Sequence, residues 1–173
     1  MLIVESGATK TDWCAVAPGV EPVNVRTPGM NLATMPQESI EEIVREAVSA
    51  FRKEGVVDDV AEVHFYAAGL IVADGEKLPR QARGLDTVLR SLFPGAEMEY
   101  ASDLLDAARA VCGHRPGIAA IMGTGSNSCL FDGEKVVKNV RSAGFILGDE
   151  GGGARLGRMF MSDFLKGLVP EPV

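Results

Sequence analysis

Two segments of this chain follow one plan, and that repetition narrows the folds open to it. Glu5 to Asp12 reads ESGATKTD, and Gly123 to Ser128 reads GTGSNS. Each follows a short apolar run, Leu2-Ile3-Val4 and then Ile118 to Met122, and each precedes another, Trp13 to Ala17 and then Cys129 to Phe131. Strand, loop of glycine and hydroxyl residues, strand is therefore expected twice. Glycine tolerates positive φ and lets the main chain come close, so the N–H groups of such a turn can converge on an anion while hydroxyls add donors. Two such loops could hold one polyphosphate from both sides. Neither is a Walker A loop, because Gly-x4-Gly-Lys-Ser/Thr occurs nowhere and both loops lead into strands. Singly, each is equally a plain hairpin turn; the repetition favours a shared ligand.

The remaining pattern places the loops. Short strands are expected at Leu2 to Ser6, Trp13 to Ala17 and Val23 to Thr27, the last two joined by Pro18-Gly19. Ile40, Ile43, Val44, Ala47, Val48 and Phe51 recur at helical spacing, which predicts a helix over about 37–53 with Gly55 as its cap. A strand over 60–67, a helix over about 76–93, a strand over 97–101 and a helix over 103–112 follow. The order is βββαβαβα. Three opening strands favour an antiparallel meander and the later βαβ alternation favours parallel pairing, so an α/β fold with a mixed sheet and helices on both faces is expected. This is the order of a ribonuclease H-like domain, assigned to residues 1–115.

From Gly117 the order begins again: strand, loop, strand, a third strand at Lys135 to Asn139 after Asp132-Gly133, and a helix over about 152–168. Residues 116–173 are thus expected to be a partial second domain. Val169-Pro170-Glu171-Pro172-Val173 reads as an interrupted connection. About another hundred residues would complete such a domain, and the chain is expected to be a fragment.

Composition sets outer limits. At 173 residues and 46% hydrophobic the chain has the material for a core. A net charge of −7 with Lys and Arg scattered argues against a nucleic-acid surface. An acidic protein that holds a polyphosphate must offset charge locally, which points to Mg²⁺ and loop dipoles. No apolar stretch approaches a membrane span, and Glu5 interrupts the N-terminal run too early for a signal peptide, so a cytoplasmic protein is expected. Cys14, Cys112 and Cys129 have no metal-like spacing and are expected to be small buried side chains in a reducing compartment.

Several residues carry potential chemistry. Glu5 ends the first strand, where its carboxylate could reach Mg²⁺ through water, or be a plain surface acid. Thr9 and Lys10, expected in the turn, offer a hydroxyl and an ammonium to phosphate oxygens. Asp103 follows a strand at the point where a helix starts. It could be that helix's N-cap, or a general base at the carboxyl end of a sheet strand. Both hold if Ser102 caps, and Asp106 is an alternative on the helix surface. Asp149 and Glu150 lie among four glycines in GDEGGG; they suit a loop whose acids accept hydroxyl hydrogen bonds or contact a metal, or a plain acidic loop. Asn31, in Pro28-Gly29-Met30-Asn31, could read a polar ligand or simply make a turn. His64 and His114 are given no role. Met159, Phe160, Phe164 and Leu168 form an apolar stripe that is either core or an exposed docking face.

Together these segments resemble a known family. ESGATKTDW resembles the phosphate-1 loop of the BadF/BadG/BcrA/BcrD ATPases, GTGSN the phosphate-2 loop, and LGDEGGGARLG the glycine-acid segment of the N-acetylglucosamine kinase branch. Members have the actin/hexokinase/Hsp70-like fold, two ribonuclease H-like domains around an ATP cleft. The resemblance implies ATP-dependent phosphorylation of an N-acetylated amino sugar, with Mg²⁺. It implies Asp103 as catalytic base, and Asn31, Gly69, Thr124 and Asp149 as sugar contacts. It also implies Gly7, Thr9, Gly125, Ser126 and Asn127 as phosphate contacts. The partners it implies are the sugar and ATP, with a homodimer open. Two positions depart from the family pattern: Glu5 stands where Asp is usual, and Gly152 where GDEGSG has serine. Two other readings stand beside the kinase. A dehydratase activator would need cluster cysteines near the glycine-acid segment, and none lies between Cys129 and Val173. A non-catalytic nucleotide- or sugar-binding module would bind without turnover.

Overall fold

The computed structural model describes residues 1–32, 34–55, 60–72, 76–140 and 142–170. The end of the expected interrupted connection, 171–173, lies outside them. The chain divides into two compact units, Met1–Asp106 and Ala107–Val173.

The first unit is built on a five-stranded sheet in the order β3-β2-β1-β4-β5, where β1 is Leu2–Ser6, β2 Lys10–Ala15, β3 Val23–Pro28, β4 Glu62–Ala67 and β5 Glu97–Ser102. β1 pairs antiparallel with β2, and β2 with β3; β1 pairs parallel with β4, and β4 with β5. The mixed sheet expected from the strand order is the one observed. Alternation along the strands sorts two faces. Leu2, Val4, Trp13, Val63 and Phe65 point to one, where they are buried with Ile40, Val44, Ala47, Val48 and Phe51 of α1 (Gln37–Lys53) and Leu85 and Leu89 of α2 (Arg83–Leu92). The Trp13 ring meets Phe65 edge-on at 6.1 Å, and its indole N–H donates to Thr27 Oγ1 at 2.8 Å, so the largest core side chain leaves no buried donor unpaired. α3 (Asp103–Cys112) follows β5 and runs across the division between the units. Its Asp106 lines a pocket with Ile3, Glu5, Asp12, Cys14 and Arg26 on the second sheet face.

The second unit holds an antiparallel sheet, β6 (Gly117–Met122), β7 (Ser126–Phe131) and β8 (Val136–Val140), with a one-turn helix α4 (Gly144–Leu147) and α5 (Gly153–Leu165). Ala119, Cys129 and Phe131 are buried on one sheet face, and Ala108 of α3 is buried as well. Ile118, Met122, Leu130 and Val140 are exposed on the other.

Several expectations change. The helix expected from Glu76 starts at Arg83, after a 3-10 turn at Arg80–Ala82. Pro79 restricts the residue before it to extended backbone and so delays the helix. Lys10 is not in the first turn but opens β2, and Ser126 to Ser128 are not in the second but open β7, because strand pairing runs to Ser6↔Thr11 and Met122↔Ser126. Of the three cysteines only Cys129 is buried; Cys14 and Cys112 are partly exposed. Of the two readings of the stripe Met159, Phe160, Phe164, Leu168, core or exposed face, the second holds: all four are exposed.

Candidate active site

The parallel register lines up three strand ends. Ser6 pairs with Ala67 and Ala67 with Ser102, so the turn after β1, the turn after β4 and the start of α3 share the carboxyl edge of the sheet, where ligands of open α/β sheets bind. Gly7, Thr9, Gly69 and Asp103 therefore gather there. The turn after β1 is tight, with Gly7 N–H donating to Lys10 C=O at 2.9 Å. Gly69, at φ 73°, turns the chain after β4 through the Leu70 N–H to Ala67 C=O bond.

Asn31 is brought to the same edge by a buried network the sequence did not reveal. Ser6 Oγ and Thr11 Oγ1 lie 3.0 Å apart, Thr11 Oγ1 donates to Pro28 C=O at 3.0 Å, and Met30 N–H donates to Ser6 Oγ at 3.3 Å. Gly29 N–H donates to Thr9 C=O at 3.1 Å. The segment before Asn31 is thus tied to the first turn. Asn31 C=O then receives Met35 N–H at 2.9 Å, which bends the chain toward α1. The missed signal was the small polar pair Ser6 and Thr11 at inward-facing strand positions.

Asp103 is the first residue of α3. Ser102 Oγ accepts the Leu105 N–H at 3.3 Å, so Ser102 is the cap and the Asp103 carboxylate is not consumed in that role. Burial pushes the Asp103 carboxyl above its ordinary value, offset in part by the N–H groups of Leu104 and of Asp103 itself. A carboxyl with raised proton affinity at a strand end has the property a general base needs.

Glu5 and Lys10 are held differently from the expectation. Glu5 alternates with buried Ser6 and so faces the second sheet side, in the pocket with Arg26 and Asp106. Lys10 Nζ sits 2.5 Å from Asp12 Oδ2, and Arg26 Nε sits 2.5 Å from Asp12 Oδ1. These two cations, Arg26 foremost, hold the Asp12 carboxyl below its usual range. Lys10 is therefore partly neutralised within its own hairpin. Among the described residues no group of three or more His, Cys, Asp or Glu could hold a metal ion. Carboxylate oxygens are ligands that suit Mg²⁺, so the donor chemistry of Glu5 fits such an ion.

In the second unit Thr124, Gly125, Ser126, Asn127 and Asp149 come together. The turn closes with Gly123 N–H to Gly125 C=O at 2.9 Å. Asp149 Oδ1 accepts Ser126 N–H at 3.1 Å, and the start of α5 donates back to the turn, Gly153 N–H to Gly123 C=O at 2.8 Å and Ala154 N–H to Thr124 C=O at 3.2 Å. Asn127 Oδ1 accepts from Asn139 Nδ2 at 2.8 Å and from Ser128 N–H at 2.9 Å, so its side chain is fixed by β8. Asn139 and Ser142, whose carbonyl receives Asp149 N–H at 2.9 Å, are supports the sequence gave no reason to single out.

No protein-family model and no curated protein matches this chain. Solved structures do. The putative N-acetylglucosamine kinase from Porphyromonas gingivalis is 41% identical and matches all of this chain with a TM-score of 0.83. This chain spans 59% of that protein's length. The putative N-acetylglucosamine kinase from Chromobacterium violaceum is 19% identical, with 99% of this chain and 60% of that one covered and a TM-score of 0.70. The ROK hexokinase from Thermus thermophilus is 18% identical, with 83% and 51% covered and a TM-score of 0.52. The fold is that of the actin-like ATPase superfamily. Within it, the 41% identical relative is a protein described as a sugar kinase, and its similarity extends over every segment described above.

Proposed function

We propose that this chain is the N-terminal portion of an ATP-dependent kinase for an N-acetylated amino sugar, of the BadF/BadG/BcrA/BcrD type. The observation that carries the reading is the Asp103 carboxylate, uncapped and raised in proton affinity, on the strand edge it shares with the glycine turn after β1. Identity of 41% to a putative N-acetylglucosamine kinase supports the substrate class.

In this reading Asp103 takes the proton from the attacking sugar hydroxyl as its oxygen bonds to the γ-phosphorus of ATP and the bond from that phosphorus to the bridging oxygen breaks, releasing ADP. Asn31, Gly69, Thr124 and Asp149 orient the sugar, while Gly7, Thr9, Lys10, Gly125, Ser126 and Asn127 contact phosphate. When bound, Mg²⁺ would supply charge neutralisation on the phosphates, and Glu5 is the residue that would help hold it. Little covalent chemistry is asked of the protein, so positioning and charge stabilisation supply most of the rate. Among the described residues no helix is long and apolar enough to cross a membrane.

The test is ATP-dependent phosphorylation of N-acetylglucosamine, assayed with this chain and with a version extended to the length of the P. gingivalis relative. Turnover by the extended protein that disappears in Asp103→Asn is the expected result; unchanged turnover removes Asp103 from the role. The exposed apolar residues of α5 favour a second reading for the chain alone, a binding module without turnover. Calorimetry with ATP and with the sugar separates the two, since binding by a chain that never turns over supports the module.

A further inference from the structure

Two asparagines on neighbouring strands fix each other's orientation, and main-chain groups leave them no choice. Asn127 is the second residue of β7 and Asn139 the fourth of β8. The register sets Asn139 opposite Cys129, so the two amides share one face of the sheet. Asn139 Nδ2 donates to Ser128 C=O at 3.1 Å and to Asn127 Oδ1 at 2.8 Å. A carbonyl can only accept, so the atom of Asn139 that meets Ser128 is its nitrogen. Ser128 N–H can only donate, so the atom of Asn127 that meets it at 2.9 Å is the oxygen. Each amide is thus pinned by a backbone group, and both agree on the bond between them. These bonds to the Asn127 side chain all end on Oδ1, which leaves its N–H2 group outside them.

We propose that Asn139 is a positioning residue: it holds the Asn127 amide so that the second glycine turn presents donors, and no acceptor, to its ligand. That polarity suits phosphate oxygens, which accept. Reversed, the same amide would aim oxygen lone pairs at an anion. The neighbouring Ser126 N–H is already spent on Asp149 Oδ1 at 3.1 Å, so the Asn127 N–H2 carries more of the donor capacity of this strand end. Asn139 acts only through Asn127. The identity of the ligand rests on the kinase reading above; the orientation of the amide does not.

The experiment uses Asn139→Leu, which keeps the volume and removes the donor, and Asn139→Asp, which keeps the shape but offers only acceptors. Amide hydrogen exchange of Ser128 is read by NMR on the chain as it stands. Affinities for ATP and for N-acetylglucosamine are read by calorimetry on the version extended to the length of the P. gingivalis relative. In Asn139→Asp the Asn127 amide turns over and Ser128 N–H loses its acceptor, so its exchange rises and ATP affinity falls by about tenfold each, the scale of one hydrogen bond. Asn139→Leu leaves Asn127 to Ser128 alone and lowers ATP affinity by about threefold. In an Asn127→Ala background Asn139→Leu lowers it no further, which a merely structural role for Asn139 would not produce. Parental Ser128 exchange in Asn139→Asp, or a leucine penalty that persists without Asn127, would overturn the assignment. A penalty on the sugar in place of ATP, still abolished by Asn127→Ala, upholds Asn139 as the positioning residue and moves Asn127 from phosphate to sugar. If the extended protein binds neither ligand, the kinase reading fails, whereas the Ser128 exchange still decides whether Asn139 sets the amide.

Discussion

Gly29 passes so close to Gly7 that a Cβ on Gly29 would lie 2.5 Å from the Gly7 carbonyl oxygen and 2.6 Å from the Ala8 carbonyl carbon. Both obstacles are backbone and cannot swing aside. The first glycine turn is thus defined from outside by a residue beyond the strand that follows it, and Gly29 is there for space, not for an unusual φ.

Gly29→Ala is accordingly expected to destabilise the chain by about 1–3 kcal/mol, the range for overpacking a close contact. Urea unfolding measures the loss. A shift below about 0.5 kcal/mol, the range of an ordinary surface substitution, would mean that the turn yields easily and is not set by this contact.

Asp103→Asn is expected to raise stability at neutral pH and, in the extended protein of the proposed kinase reading, to remove activity. Burial lifts the folded carboxyl above the ordinary value of 3.8, so the native state holds this proton more tightly than the unfolded chain does. The stabilising contribution is complete below that ordinary value and is lost as pH rises through the folded one. Asparagine, neutral throughout, escapes the loss. Thermal unfolding at pH 7 should show a higher Tm for the variant, with the gap closing toward pH 3.5, and phosphoryl transfer should fall by about 10²–10⁴-fold. A variant less stable than the parent at pH 7 would refute the burial argument.

The side chain of Asp86, buried against Tyr100, gives a contrast between two substitutions. Tyr100 O–H donates to Asp86 Oδ1 at 2.9 Å, and Arg90 Nε lies 3.0 and 2.9 Å from the two carboxylate oxygens. Burial, then the bond to Asp86, pushes the Tyr100 phenol well above its ordinary value. Asp86→Ala strands a buried hydroxyl and should cost about 1–3 kcal/mol. Asp86→Asn keeps an acceptor for Tyr100 and loses mainly the ion pair with Arg90, whose side chain is 55% exposed; such pairs are worth about 0–1 kcal/mol. Equal losses in chemical denaturation would show that the ion pair, not the phenol, dominates.

Gly152→Ser restores the hydroxyl of the GDEGSG pattern but places a Cβ against the main chain of Gly125. We expect lower stability and altered Gly123 to Ser126 amide shifts, read by NMR. A variant with parental shifts would show that the segment adapts without moving the turn.

Much of the first unit was legible because its signals are periodic. The α1 positions Ile40, Ile43, Val44, Ala47, Val48 and Phe51 mark one helix face, and all are buried. Meander followed by alternation was enough for the mixed sheet. What failed had no period to read. α4 is a single turn, four residues long. The start of α2 was set by Pro79, a local constraint that the apolar spacing of Leu85, Val88 and Leu89 did not carry. At the site, motifs located Asp103 and the glycine turns, but not their supports. The Ser6, Thr11 and Met30 network and the Asn127–Asn139 bond join positions distant in sequence, and small polar residues inside strands look the same whether they face a partner or water.

The register that aligns Ser6, Ala67 and Ser102 also fixes when the site can exist. The β1–β2 hairpin closes locally, but β1 meets β4, and β4 meets β5, only after long stretches of chain have been gathered. Such pairings form late, because loop closure opposes them until the helices between are docked. An early folding species could carry the first glycine turn in near-final shape and still lack both Gly69 and Asp103 beside it. Binding competence is therefore a property of the finished sheet, and refolding followed by ligand binding should lag refolding followed by hairpin formation.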